Sequence, residues 1–230
     1  MGKATERRPD GSRTDARGRR GPGRPRGATG PKTRQEILEP ATALFSRYGE
    51  AGVGMREVAA AAGVNVATVH HHFGSKAELY EAVFAAMYAL ESAAVGAAAE
   101  RVRERIAADP DTLLQGLHEV LDAYLDFLDE HPEVTFLWLR RWLEPQAHPR
   151  FDAEYAMPLY RLVEDLLLTA ERTSRIEEPS PHTAVRSIVW AVHGHVTAAR
   201  AGSSSAAAAE RHEFREFAHR LVDGLWGPAP

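Results

Sequence analysis

Two short helical stretches joined by Gly63-Val64-Asn65 constrain the fold of this chain more than any other feature. Met55–Ala62 is alanine-rich, and Val66–His72 follows after only three residues. Such helices cross steeply when small side chains occupy the contact, which Ala59, Ala60, Ala61 and Ala62 provide. Gly63 supplies the positive φ that the turn requires. Val58, Val64, Val69 and Phe73 are placed to bury the inner faces beneath a preceding helix. The pattern is that of a helix-turn-helix, whose second helix lies in a major groove with its first residues near the base edges.

The flanking sequence continues the helical pattern. From Thr33, with Glu36 as a capping-box partner, Ile37, Leu38, Ala41, Leu44, Phe45 and Tyr48 recur at helical spacing until Gly49 and Gly52. Pro40 predicts a bend there, or a helix whose regular part begins near it. Phe73-Gly74 ends the second short helix, and Ser75 with Glu78 caps a longer one that runs through Leu90, with Arg101–Ile106 within its reach. Beyond the Asp109-Pro110 break, amphipathic stretches cover Leu113–Asp129, Pro132–Leu143, Phe151–Arg172 and His182–Ala201. A last helix spans about Ala206 to Trp226, after the polar Gly202–Ser205 break. No segment sustains the period-two alternation of a strand, so the predicted fold class is all-α.

Charge is distributed unevenly. Residues 1–32 hold ten Lys/Arg against Glu6, Asp10 and Asp15, a net +7, while the other 18 basic and 29 acidic residues leave −11. A cationic, Gly/Pro-rich arm on an acidic body suits contact with a polyanion by the arm alone, and the arm is expected to be disordered in the free protein. Within it, Gly23-Arg24-Pro25-Arg26-Gly27 has the narrow, Arg-flanked form of a minor-groove hook. With no cysteine in 230 residues, disulfides, thiolate nucleophiles and Cys-ligated zinc are excluded. No apolar run is expected to span a bilayer, no secretory signal is recognised, and the expected location is the cytoplasm.

The order Leu44-Phe45…Tyr48-Gly49, Met55-Arg56-Glu57-Val58-Ala59, Ala62-Gly63-Val64 and Thr68-Val69-His70-His71-His72-Phe73-Gly74-Ser75-Lys76 resembles the DNA-binding domain of the TetR family. The resemblance covers Thr33 to about Phe84; the rest is similar only in helix number and length. It implies a disordered arm at 1–32, a three-helix DNA-binding domain at 33–84 and a helical effector-binding and dimerisation domain at 85–230. It further implies a ligand-responsive homodimeric repressor of a double-stranded DNA operator. Arg34 and Arg56 would belong to the DNA-facing set, Arg56 on phosphate, and Asn65 would cap the recognition helix or reach the backbone. Val66, Ala67 and Thr68 would face bases, their methyls meeting those of thymine. His70 stands where the family usually has tyrosine and would give binding some pH sensitivity, with His71 nearby. Lys76 and the amides of the fourth helix would anchor phosphate.

The ligand set expected in the later helices is Phe127, Trp138, Trp142, Tyr155, Tyr160, Trp190 and His193, suited to an apolar or aromatic effector. Each of these residues read alone is an ordinary core or interface side chain; Arg140-Arg141 could pair with an anionic effector, but a solvated helix face is the commoner reading. His70-His71-His72 cannot converge on one ion, because successive helical residues point about 100° apart; no metal or other cofactor is expected. No phosphate loop, nucleophile elbow or His-Glu metal motif is present, so no catalytic residue is assigned. The competing reading is an architectural, effector-independent DNA-binding protein, which would not need the separate helical domain. The last two long helices are expected to form a four-helix bundle with their symmetry mates.

Overall fold

The computed structural model describes residues 31–144, 146–169, 180–201 and 207–227. The arm preceding Pro31, with its Gly23–Gly27 segment, and the Gly202–Ser205 break lie outside the described residues. Among the described residues every regular element is a helix: α1 (Pro31–Tyr48), α2 (Met55–Ala61), α3 (Val66–Phe73), α4 (Lys76–Ala108), α5 (Leu113–Glu130), α6 (Pro132–Leu143), α7 (Met157–Thr169), α8 (Pro181–Ala201) and α9 (Ala207–Trp226). A 3₁₀ turn at Pro110–Thr112 leads into α5, and a π-helical turn at Asp152–Ala156 precedes α7.

The described part of α1 already includes Pro31 and Lys32, so Thr33 lies inside the helix and does not precede it as the expected cap. The helix runs unbroken through Pro40, so its regular part does not begin there. Burial of Ile37, Leu38, Ala41 and Phe45 on both sides of Pro40 holds the backbone helical despite the lost donor.

The turns follow their local chemistry. Gly63 has φ +65° and Gly74 φ +70°, conformations that favour glycine. Asn65 Oδ1 accepts from the Ala67 amide at 2.9 Å, capping α3. At the start of α4 the Ser75 hydroxyl accepts from the Glu78 amide at 3.2 Å, and the Glu78 carboxylate accepts from the Ser75 amide at 2.7 Å. This reciprocal cap forms as expected.

From that cap α4 runs for 33 residues, well past Leu90. By length and composition alone it could cross a membrane, since an 18-residue window has mean hydropathy 1.5; this corrects the expectation that no apolar run is long enough. The helix instead packs against α1, α5 and α7, burying Leu79, Val83, Phe84, Val95, Val102 and Ile106. Gly116 lets α5 approach closely, because a Cβ there would sit 2.3 Å from Val102 Cγ1. Helix α9 lies on α5, where Arg215 pairs with Asp122 at 2.8 Å and Asp126 at 2.5 Å. Helix α8 closes the layer against α6, α7 and α9. The expected Phe151–Arg172 helix is less regular at its start than the sequence suggests, with a π-helical turn at Asp152–Ala156 before regular α-helix over Met157–Thr169. Arg172 lies outside the described residues.

Candidate nucleic-acid interface and enclosed cavity

Helices α1–α3 share the hydrophobic core that runs through the protein. Val58, Ala59, Val69 and Phe73 are buried in it with Ile37, Ala41 and Phe45, and α3 is posed by packing on α2 and α4. Asn65, Ala67, His70 and His71 are left exposed along α3, with Thr68 half-buried. Val66 turns partly into the core, so it offers less surface to a groove than the sequence suggests. His70 Nδ1 lies 2.6 Å from the Gly74 carbonyl, which makes Nδ1 the protonated nitrogen and leaves Nε2 for other partners. The Arg34 guanidinium lies 4.8 Å over the Phe73 ring, bringing the start of α1 beside the end of α3. Arg56 is exposed in the first turn of α2. Lys76 is tied inward: its Nζ donates to the Glu50 carbonyl at 2.9 Å, joining α4 to the loop after α1. Two of its three donor hydrogens remain for an anion.

A cavity of about 80 Å³ lies among α4, α5, α6, α7, α8 and α9. Of the seven residues expected to form a ligand site, Trp138, Trp142, Tyr160 and His193 line it. The other three are placed elsewhere. Phe127 is buried beside His131, their rings 4.9 Å apart, and Tyr155 joins Phe84, Tyr88 and Phe151. Trp190 is 42% exposed and stacks on the outer side of Trp142 with centroids 4.4 Å apart. Helical periodicity marks a residue as inward-facing, but the side chain that meets it depends on the neighbouring helix.

The cavity also contains two polar groups that the sequence did not single out, Glu91 and Tyr124. Glu91 is 2% exposed, and Trp138 Nε1 donates to its carboxyl at 3.5 Å. Burial pushes the Glu91 carboxyl up to about 7, with the Trp138 bond pulling the other way. Tyr124 Oη lies 2.8 Å from His193 Nε2, and His193 Nδ1 lies 3.0 Å from Thr135 Oγ1. Burial holds His193 down to about 3, so its ring is neutral and serves one neighbour as donor and the other as acceptor. Burial, followed by the charge of Glu91 and by Tyr160, holds the Tyr124 hydroxyl well above its ordinary range.

Helix α6 joins the two regions. Trp138 and Trp142 line the cavity, while Arg140, between them, points to the end of α1. Its Nε donates to the Ser46 carbonyl at 3.1 Å and Nη2 to the Arg47 carbonyl at 2.5 Å, capping α1 as a cation at a helix C-terminus. His148 adds a second tie, 2.7 Å from Glu50 Oε2. Arg141 is 3% exposed and pairs with Asp152 at 3.2 Å. The Arg140-Arg141 pair is thus an internal fastening and not the solvated face its charge suggested.

Residues 37–83 match the family model described as bacterial regulatory proteins, tetR family. The HTH-type transcriptional repressor AcnR of Corynebacterium efficiens is 36% identical over 131 residues, covering 56% of this chain and 58% of its own length. The HTH-type transcriptional repressor NicS of Pseudomonas putida is 29% identical over 119 residues, 52% of each chain. The chain therefore spans little more than half the length of these curated relatives. The crystal structure of the TetR family regulator PfmR of Thermus thermophilus superposes with a TM-score of 0.60 at 22% identity, covering 84% of this chain and 99% of that one. That likeness establishes the same all-helical fold across the later helices.

Proposed function

We propose that this chain, whose residues 37–83 match the model of tetR-family bacterial regulatory proteins, is a transcriptional repressor released from DNA by a small molecule. A homodimer would place α3 from each protomer in successive major grooves of a near-palindromic operator. Residues 33–84 would form the DNA-binding domain and residues 85–230 the effector-binding and dimerisation domain. Helix α4 would run through both, and α8 and α9 would pack against their symmetry mates. Such a protein works on chromosomal DNA in the bacterial cytoplasm, and the reading assigns it no catalytic step.

The observation that carries this reading is that α6 holds two cavity-wall tryptophans and the guanidinium that caps α1. A ligand that moves Trp138 or Trp142 acts on the helix that supports α2 and α3. Binding then shifts the population toward dimers whose recognition helices are wrongly spaced. An effector-independent architectural protein would have no use for a cavity coupled in this way.

Selection of bound DNA fragments would yield the operator and test the reading directly; failure to enrich any sequence would overturn it. On the selected site, Thr68→Ala is expected to weaken binding by about 1–3 kcal/mol, the worth of a base contact, while sedimentation still reports a dimer. Removal of residues 1–30, which end just before α1, is expected to flatten the dependence of log Kd on log salt. Each lost phosphate contact contributes about 0.9 to that slope. An unchanged slope would show that the arm makes no phosphate contact.

A further inference from the structure

We propose that the cavity takes a cationic amine with an aromatic or other apolar body, its ammonium paired with Glu91. The inference rests on the effector reading above and deepens it by naming the ligand's chemistry. It comes from a mismatch within the cavity wall. Glu91 is an acid, and its one assigned hydrogen bond is the 3.5 Å contact from Trp138. No lysine or arginine is among the lining residues, and no cation contributes to holding its charge. The other polar side chains do not supply one: Tyr124 and neutral His193 are engaged with each other, and Tyr160 is a phenol.

Placing a carboxyl here is unfavourable in the empty protein. The native state retains a proton that the unfolded chain loses near the ordinary carboxylate range. The native state therefore loses stability, relative to a neutral side chain, as pH rises from that range toward about 7. A ligand ammonium removes that cost and supplies the missing countercharge. The surrounding rings suit the same guest. Trp138 and Trp142 stack with centroids 5.8 Å apart, and their π faces favour a cation over an anion. An anionic ligand would instead meet Glu91 with no compensating cation. The groups facing Glu91 across the cavity are Tyr124 on α5, Trp138 on α6, Tyr160 on α7 and His193 on α8. None of them titrates between pH 6 and 8, so Glu91 alone sets the pH dependence there.

The four tryptophans of the chain provide the readout, because Trp138, Trp142 and Trp226 line the cavity and Trp190 stacks on Trp142. Quenching of their fluorescence in the DNA-free, full-length protein would be titrated with 2-phenylethylamine, 2-phenylethanol and 3-phenylpropanoate. These share an apolar body and differ in charge. The amine is expected to bind most tightly, and about tenfold more tightly at pH 8 than at pH 6 as Glu91 ionises, with the alcohol unaffected. Glu91→Gln should remove the pH dependence and weaken amine binding at least tenfold at pH 8, while leaving the alcohol's affinity intact. Intact alcohol binding also shows that the variant has folded. Preference for phenylpropanoate, no binding of the amine, or amine affinity unchanged in the variant would overturn the proposal. Release of the selected operator is measured separately. An amine that binds with the stated pH profile and leaves DNA bound supports the site chemistry and overturns the effector reading instead.

Discussion

Phe45→Ala is expected to cost about 3–5 kcal/mol of stability, the usual range for removing a fully buried phenylalanine. Phe45 is 0% exposed and meets the Tyr80 ring edge-on at 5.1 Å, so it fills the seam between α1 and α4. Alanine would leave that seam hollow and loosen α1 against α2 and α4, the two helices on which α3 packs. Urea denaturation would measure the loss, and hydrogen exchange would place it, with amides of α1–α3 opening before those of α5 and α9. DNA affinity should fall with it, because α3 packs on α2 and α4 and both of these rest on α1. A change below about 1 kcal/mol would show that the seam collapses around the gap and that Phe45 is not its keystone.

Arg140→Ala should separate ligand binding from DNA release. The substitution removes two charge-assisted hydrogen bonds to the carbonyls of Ser46 and Arg47 and leaves the cavity wall untouched. Such bonds contribute about 1.5–3 kcal/mol each, comparable to the 1–3 kcal/mol of a typical coupling free energy. The expected result is an unchanged ligand Kd in the absence of DNA and a ligand-induced loss of operator affinity reduced to near unity. Both quantities come from one set of titrations, with and without operator DNA. Full ligand-induced release by the variant would show that the signal takes another route, of which the His148–Glu50 contact is the nearest. Arg140 also lines the open groove between α1, α4 and α6.

The features legible in the sequence were those determined within a few residues. Gly63, the Asn65 cap, Gly74 and the Ser75–Glu78 pair each specify a backbone state locally, and the structure has α2, α3 and the start of α4 where those signals place them. The cavity was only half legible. Trp138 and Trp142 were identifiable as large inward-facing rings, but Phe127 and Tyr155 looked the same and pack elsewhere. Glu91 was not legible at all. In an alanine-rich helix a lone glutamate resembles a solvent-facing residue, and only the arrival of α5, α6 and α7 encloses it. Arg141 was misread for the same reason, since its burial depends on Asp152 at the π-helical turn.

The length of α4 has a mechanical consequence. Glu91 lies fifteen residues from Lys76, a run of about 22 Å at the helical rise. Both are rungs of one uninterrupted rod, with the cavity at one and the end proposed to face DNA at the other. A tilt of about 5° pivoted near Glu91 would carry the Lys76 end roughly 2 Å sideways. In a two-fold assembly the partner's rod would swing in the mirrored sense, doubling the change in span. If the proposed dimer binds DNA, a displacement too small to disturb the packing around Glu91 becomes, at the far end, an error of ångströms in a span set by the pitch of the duplex.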